Sequence, residues 1–336
     1  MNAKILDTPV LFLIFNRPDT TRQVFSAIRA AKPRQLFIAA DGPRKDKKGE
    51  SEKCRQTREI ALDIDWPCEV KTLFRENNLG CKIAVSSGID WFFDNVEQGI
   101  ILEDDCLPNQ SFFWFCQELL GKYKDDSRIM CIAGMTYVEK ENNPNSYSYH
   151  FCRVGGIWGW ASWRRAWKLY ELEMQSYPQA IEERVFDDLF IGEKVLKNTY
   201  LSWFKNAYRN TFTWDYQWTY TKIINNSINI MPAKNLVKNI GFGIEGATNT
   251  TKPDPRFSEM IQKEMKFPLI HPKFIVIDRK FNFSNFEYTT RVPLTDKLNR
   301  YLYNLLYYMK LLLKTILPES VVEFLKNLRK NVKSTK

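Results

Sequence analysis

Three consecutive carboxylates, Glu103, Asp104 and Asp105, directly follow the short apolar run 100–102. Acidic side chains at the end of a buried strand are costly unless something neutralises them. Hard oxygen ligands suit Mg²⁺ or Mn²⁺, and a cation of this kind usually also holds phosphate oxygens. The triplet therefore predicts a metal ion that bridges the protein to a diphosphate. A solvated acidic turn, or a cap for the helix that begins near Asn109, would use the same residues.

Charged residues also follow two earlier apolar runs. Arg17 comes shortly after the run 10–15 and could pair with a phosphate or stack on a base, or form a surface ion pair. Asp41 ends the next run, where a carboxylate can accept the N–H of a base or a ribose hydroxyl; the sequence Asp-Gly-Pro is an equally good turn. Lys82 opens a helix after the loop 75–81, where a basic residue beside exposed N–H groups suits an anion such as a donor phosphate; a capped loop is the alternative.

A third group of candidate residues lies among aromatic side chains. Asp215 stands in the sequence Trp-Asp-Tyr-Gln-Trp, and apolar surroundings raise the pKa of an acid and make it a better base near neutrality. The stretch 155–160 is rich in Gly and Trp, which gives the flexible backbone and flat faces that a sugar-contacting segment needs. Packing roles are the alternatives: a helix cap for Asp215 and a tight turn for 155–160.

The first 135 residues alternate apolar runs with helical patterns, which predicts an α/β fold with a mostly parallel sheet and helices on both faces. The predicted strands are 10–15, 36–40, 69–74, 100–102 and 129–132. The predicted helices are 20–31, 48–64, 85–96 and 111–123. Ligands of such sheets bind beyond the carboxyl ends of the strands, so we expect Arg17, Asp41 and the acidic triplet to converge.

Composition excludes several classes of protein. The 336 residues are 44% hydrophobic and 26% charged, which excludes a disordered or collagen-like chain. Seven cysteines without a C-x-x-C pair indicate reduced thiols in a cytosol, and two histidines argue against histidine-rich metal sites. The apolar run 10–15 is too short for a signal peptide, and no run reaches the ~20 apolar residues of a spanning helix. We therefore expect a cytoplasmic protein.

Two domains are expected: 1–290, with a nucleotide-binding half (1–135) and an acceptor and sugar half (136–290), and a tail, 291–336. The tail carries ten Lys or Arg against three acidic residues, +7 of the formal net charge of +10. Its apolar residues recur at helical spacing, which predicts basic amphipathic helices and contact of 297–336 with an anionic membrane surface. Packing against the main domain is the alternative. Because the charge is concentrated in the tail, nucleic acid is not an expected partner.

Taken together, these segments resemble the GT-A fold nucleotide-diphospho-sugar transferases, and most of all bacterial relatives of the N-acetylglucosaminyltransferase I family. The resemblance covers roughly residues 8–250. It rests on six short segments in the same order: Phe-Asn-Arg-Pro, Ala-Ala-Asp-Gly, Arg-Glu-Asn-Asn-Leu-Gly, Leu-Glu-Asp-Asp, Gly-Trp near 159 and Trp-Asp near 214. It implies a GT-A fold and a metal-dependent transfer of a sugar, with inversion, from a UDP-linked donor.

The resemblance also implies individual roles. Asp105, in a motif of the DXD type, would hold Mn²⁺ or Mg²⁺, and Asp215 would be the catalytic base. The segment 239–246 would close over the donor. The other matching positions would contact the donor: Arg17 near the nucleotide, Asp41 at the uracil, Glu103 and Asp104 at the ribose and sugar, and Gly159, Trp160 and Trp214 beside the sugar. Tyr216-Gln217 stands where the animal N-acetylglucosaminyltransferase I has a second acid.

The expected acceptor is a saccharide or a lipid-linked saccharide at the inner face of a membrane, in the synthesis of a surface polysaccharide. Two alternatives remain. A sugar-phosphate nucleotidyltransferase would share the α/β fold, although the Gly-rich phosphate loop after the first strand is missing and Asn16-Arg17-Pro18-Asp19 stands there instead. A non-catalytic protein that binds anions or RNA would explain the isoelectric point near 9.1.

Overall fold

Five consecutive buried residues, Val10–Ile14, form the first strand of the sheet that organises this chain. The computed structural model describes residues 5–139, 147–210, 212–243 and 254–290. The chain forms two units, 1–289 and 290–336, and the predicted tail lies outside the described residues. The elements and contacts described below belong to the first unit.

The described residues contain the following strands: β1 (Val10–Ile14), β2 (Gln35–Ala40), β3 (Glu69–Phe74), β4 (Gln98–Glu103), β5 (Cys106–Pro108), β6 (Ile129–Ala133), β7 (Tyr149–Cys152), β8 (Trp160–Trp163), β9 (Ile228–Pro232) and β10 (Val237–Asn239). The helices are α1 (Pro18–Ala31), α2 (Glu50–Leu62), α3 (Gly80–Asn95), α4 (Gln110–Lys122), α5 (Arg164–Trp167), α6 (Tyr177–Glu182), α7 (Val185–Leu189), α8 (Lys194–Asn210), α9 (Asp215–Ile224), α10 (Pro255–Ser258) and α11 (Arg279–Thr290).

The main sheet has the strand order β3-β2-β1-β4-β8-β6-β9-β7. Strands β3, β2, β1 and β4 are parallel neighbours, and β6 is parallel to β9. Strand β8 is antiparallel to both β4 and β6, and β7 is antiparallel to β9. A smaller sheet pairs β5 with β10. The expected α/β fold, with a large and mostly parallel sheet flanked by helices, is confirmed.

The two faces of β1 show how the sheet is covered. Val10 and Phe12 pack with Phe25 of α1 in one apolar core, and Leu11 packs with Phe92 of α3 in the other. Successive side chains of a strand point to opposite faces, so a strand covered on both faces must be apolar throughout. This explains why the sequence of β1 is an uninterrupted apolar run.

Helix boundaries follow ordinary capping rules. Pro18 occupies the first turn of α1, where its missing N–H costs nothing. Asn109 caps α4: its side chain accepts a hydrogen bond from the backbone N–H of Phe112 at 3.1 Å. The capping role that was the alternative for the acidic triplet therefore belongs to Asn109.

Parallel pairing brings the polar strand ends together. Ile14 of β1 lies opposite Ala40 of β2, and Leu13 lies opposite Glu103 of β4. The residues that follow these positions, Arg17 and Asp41 among them, therefore meet at one edge of the sheet, as expected. Within the part of the chain that the structure describes, no helix is both long and apolar enough to span a bilayer.

The burial of β1 yields a stability prediction. Phe12 is 0% exposed, so Phe12→Ala leaves a cavity at the centre of the sheet and we expect it to lower the free energy of unfolding by about 3–5 kcal/mol. Phe274 is 68% exposed, so the matched change Phe274→Ala is expected to stay within about 0.5 kcal/mol of wild type. Urea unfolding of the two variants measures the difference. If both variants lowered the free energy of unfolding by the same amount, the placement of β1 in the core would be contradicted.

Candidate functional site

A cleft of about 370 Å³ opens at the carboxyl edge of β1, β2 and β4, and is called the strand-end cleft below. Four residues that the sequence singled out line it: Arg17, Asp41, Glu103 and Asp104. The other lining residues are Leu13, Ile14, Phe15, Ala39, Ala40, Arg44, Arg75, Asn78, Gly80, Cys81, Ala84, Val85 and Phe212. The expected convergence of charged strand ends therefore creates a pocket with both basic and acidic walls.

Arg17 holds the acidic strand end through two ion pairs. One guanidinium nitrogen, Nη1, donates to Oδ2 of Asp105 at 3.0 Å, and the other, Nη2, donates to Oδ1 of Asp104. The backbone N–H of Phe15 donates to the second oxygen of Asp104 at 3.2 Å. Burial lowers the pKa of Arg17, but the two carboxylates outweigh burial and raise this pKa overall. The guanidinium is therefore a fixed positive charge.

The segment after β10 packs directly on this ion pair. The backbone N–H of Ile240 donates to the carbonyl of Asp105 at 2.8 Å. A Cβ atom at Gly241 would lie 2.5 Å from Oδ2 of Asp105 and 3.0 Å from Nη1 of Arg17, so a larger residue has no room there. Of the expected closing segment 239–246, the first five residues are described, and two of them, Ile240 and Gly241, lie against Asp105; 244–246 fall outside the described residues.

The arrangement of these carboxylates does not fit the expected Mn²⁺ or Mg²⁺ on Asp105. Both Asp104 and Asp105 already pair with Arg17, and Gly241 packs on the Asp105 oxygen that makes this bond. Across the described ranges, no three or more His, Cys, Asp or Glu side chains are grouped so that they could hold a metal ion. The sequence predicts that Arg17 and the acids converge, but not that Arg17 bonds to both of them.

Glu103 is the acid of the triplet most affected by its surroundings. Burial and, next, the negative charge of Asp105 raise its pKa to about 8, and Arg17 opposes this shift. The pKa of Asp104 is also raised, chiefly by burial, and Arg17 opposes that shift as well. At neutral pH Glu103 therefore retains its proton, and the cleft carries less negative charge than three consecutive acids suggest.

Asp41 anchors the loop that leads into α3. Its Oδ1 accepts hydrogen bonds from the backbone N–H groups of Gly42 and Leu79, each at 2.9 Å. Its Oδ2 accepts from the side chain of Asn78 at 2.9 Å and from the backbone N–H of Gly80 at 3.1 Å. These bonds occupy both carboxylate oxygens with the loop. The geometry thus agrees with the turn interpretation of Asp41, and the uracil contact that the resemblance implied stays a prediction.

Asp215 lies within electrostatic range of the acidic strand end. It is the first residue of α9, and burial raises the pKa of its carboxyl. Its charge contributes to the raised pKa of Glu103 and also to that of Cys81, which burial raises to about 12. Cys81 and Phe212 both line the strand-end cleft. The structure therefore brings the charge of Asp215 within range of Glu103 and Cys81, although 110 residues separate Asp215 from Asp105 in sequence and Asp215 is not among the residues that line the cleft.

The two tryptophans expected to contact the donor sugar lie in the core. Trp160 and Trp214 are 0% and 2% exposed, and their rings stack with centroids 5.8 Å apart. Trp218 of α9 packs on Trp160 at 5.7 Å. This cluster supports the start of α9, where Asp215 lies. The buried rings offer no free face to a sugar in this structure, and the donor contact that the resemblance implied for Trp160 and Trp214 stays a prediction.

Two more expected donor contacts have structural partners. Gly159 has a φ of +62°, and a Cβ atom there would lie 2.8 Å from Val237, so the turn before β8 needs glycine. The ammonium nitrogen of Lys82 pairs with Glu173 at 2.9 Å. Neither Gly159 nor Lys82 is among the residues that line the strand-end cleft.

Sequence reasoning missed two arginines of the cleft. Arg44 lies four residues beyond the end of β2 and pairs with Glu50. Arg75 directly follows β3 and donates to the hydroxyl of Ser87 at 2.7 Å. Both positions obey the rule that predicted Arg17 and Asp41, because they follow carboxyl ends of parallel strands. The same rule applied to every strand end would have found them.

Comparisons with known proteins leave the family open. No family model matches the chain, and no curated protein matches it. Solved structures do match; one is the crystal structure of 4-diphosphocytidyl-2C-methyl-D-erythritol synthase from Anaerococcus prevotii. That likeness has a TM-score of 0.30 and 10% sequence identity, and covers 51% of this chain and 77% of the other. It is too weak to carry an argument about activity.

The raised pKa of Glu103 predicts how stability depends on pH. Its folded pKa of about 8 exceeds the ordinary value of 4.5, so the folded state binds this proton more tightly than the unfolded chain does. The contribution of Glu103 to stability therefore falls as pH rises through this window. Glu103→Gln cannot lose a proton, so we expect its stability relative to wild type to increase by at least about 1 kcal/mol between about pH 5 and about pH 9.

Urea unfolding at a series of pH values measures this trend. Glu76→Gln is the matched control, because Glu76 is exposed in the loop before α3. A flat difference for Glu103→Gln would show that the Glu103 carboxyl titrates normally.

Proposed function

We propose that this chain is a glycosyltransferase that moves a sugar from a nucleotide-diphosphate donor to an acceptor hydroxyl. The observation that carries the proposal is the position of Asp215, a half-buried carboxylate within electrostatic range of Glu103, in a cleft whose walls hold three arginines. A base next to a binding site for phosphate is what displacement of a diphosphate by a hydroxyl needs. A UDP-linked sugar is the proposed donor, on the resemblance of the motifs alone.

In this proposal Asp215 removes the proton of the acceptor hydroxyl. The acceptor oxygen forms a bond to the anomeric carbon while the bond from that carbon to the diphosphate breaks, so the configuration inverts. The raised pKa of Asp215 makes its carboxylate a stronger base than an exposed aspartate. Arg17, Arg44 and Arg75 line the cleft and would stabilise the negative charge of the departing diphosphate.

The proposed acceptor is a saccharide, and specifically a lipid-linked saccharide in the assembly of a surface polysaccharide. Its support is the charge of the tail, +7 over 291–336, since a basic amphipathic segment is attracted to anionic lipid. A protein held at the cytoplasmic membrane surface would meet such an acceptor there. The tail lies outside the described residues, so this part of the proposal rests on its sequence.

Removing the proposed base tests the reaction. We expect Asp215→Asn to lower the rate of sugar transfer by about 10²–10⁴-fold, because an amide cannot accept the proton. Donor binding should persist. The measurement is release of the nucleoside diphosphate from a panel of nucleotide sugars, with saccharide acceptors supplied.

Asp90→Asn is the matched control. Burial also raises the pKa of Asp90, which accepts a hydrogen bond from Trp167 at 2.7 Å and is not among the cleft residues. The Asp90→Asn variant should transfer sugar at the wild-type rate. Full activity of Asp215→Asn would refute the assigned base. Formation of a nucleotide sugar and pyrophosphate from a nucleoside triphosphate and a sugar phosphate would identify a nucleotidyltransferase instead.

Vesicle flotation tests the membrane contact. The full-length protein should float with vesicles that contain anionic phospholipid and stay behind with neutral vesicles, because the attraction depends on charge. Replacing Arg300, Lys310 and Lys314 together with glutamine should weaken flotation, and high salt should do the same. A wild-type protein that does not float with anionic vesicles would remove the membrane from the proposal.

A further inference from the structure

We infer that the strand-end cleft binds the diphosphate of its nucleotide ligand through the guanidinium of Arg17, without a divalent cation. The inference rests on the proposed function for the class of ligand, a nucleoside diphosphate. It departs from the sequence expectation, in which the acidic triplet would recruit Mn²⁺ or Mg²⁺ to hold the phosphates. Three features of the described residues support it.

The first feature is the number of donors that Arg17 keeps available. A guanidinium has five N–H groups in a rigid plane. In the described ranges Arg17 donates to Asp104 and to Asp105, one bond each, and no other acceptor contacts it. Arg17 also lines the cleft. Three N–H groups, held in place by the two ion pairs, therefore remain for phosphate oxygens, and a guanidinium bound in this way needs no reorganisation to receive them.

The second feature is the commitment of the carboxylates that a metal would need. Asp104 uses one oxygen for Arg17 and the other for the backbone N–H of Phe15. Asp105 gives one oxygen to Arg17 at 3.0 Å, and Gly241 packs on that oxygen. A divalent ion held by the two carboxylate oxygens that now accept from Arg17 would have to displace the guanidinium from both acids, which would leave a buried guanidinium without its partners. Breaking a buried ion pair in this way is strongly unfavourable.

The third feature is the balance of charge on the cleft wall. Three guanidinium groups line the cleft, those of Arg17, Arg44 and Arg75. Of the three acids that line it, Asp104 is paired with Arg17, and both carboxylate oxygens of Asp41 accept hydrogen bonds from the loop 78–80. Arg44 and Arg75 add positive charge to the same wall, which favours a diphosphate. Arginine suits this role because its planar group makes two parallel bonds to a phosphate.

Isothermal titration of the full-length protein tests the inference. The probes are UDP, GDP, CDP and inorganic pyrophosphate, each titrated with excess EDTA and again with Mn²⁺. We expect the tightest of these ligands to bind in EDTA with a Kd within about threefold of its value in Mn²⁺. In EDTA, Arg17→Gln should weaken that binding by at least about tenfold. The affinity of Arg17→Lys should lie between those of wild type and Arg17→Gln, because an ammonium keeps the positive charge but cannot make the paired bonds.

Arg22→Gln is the matched control, because Arg22 is an exposed arginine on the same helix, and its variant should bind like wild type. Thermal melting checks that each variant is folded. A second measurement needs no variant: electron paramagnetic resonance of free Mn²⁺ should show no tight binding of the ion to wild-type protein in the absence of nucleotide.

Each other outcome overturns the inference. Binding that is lost in EDTA and restored by Mn²⁺ would refute the role of Arg17 and leave the glycosyltransferase proposal standing. If the folded Arg17→Gln variant binds the diphosphate as tightly as wild type does, the role of Arg17 is likewise refuted and the glycosyltransferase proposal stands. If none of the diphosphates binds under either condition, both the inference and the proposed function fail.

Discussion

The site depends on one ion-pair cluster, in which the guanidinium of Arg17 bonds to Asp104 and Asp105 at the end of β4. Three consecutive acids at the edge of a buried strand repel one another and lose solvation. Because β1 and β4 are parallel neighbours, the short segment that follows β1 brings Arg17 directly to those acids. The cluster thus fixes the start of α1, the end of β4 and the packing of Gly241 together.

A second constraint acts from the other side of the sheet. Trp160, Trp214 and Trp218 form an apolar cluster beneath the first turn of α9, and Asp215 opens that helix. Buried aromatic rings contribute large apolar contact areas and specific geometry, so they hold a neighbouring side chain in place. Burial at this position also raises the pKa of the Asp215 carboxyl. The acid and the arginine therefore owe their positions to separate cores on opposite faces of one sheet.

The sequence predicted the parts of this site that follow from periodicity. Apolar runs located β1, β2 and β4, and the strand-end rule placed Arg17 and Asp41 at one edge. The antiparallel strands β7 and β8 were not predicted, because each has only four residues in an aromatic-rich segment where strand and helix patterns look alike. Two features could not be predicted: the burial of Trp160, and the atoms that bond to the Asp41 carboxylate. Both depend on contacts between segments far apart in the sequence, and no local pattern contains such contacts. Arg44 was not predicted, because it lies four residues beyond the end of β2 in a segment without regular secondary structure.

The most direct test of this account is a crystal structure of the full-length protein with a nucleoside diphosphate, grown in the presence of EDTA. The account predicts phosphate oxygens within hydrogen-bond distance of the Arg17 guanidinium, with both of its ion pairs to Asp104 and Asp105 intact. A diphosphate bound away from the carboxyl ends of β1 and β4 would contradict it. So would a structure in which Arg17 has left both carboxylates.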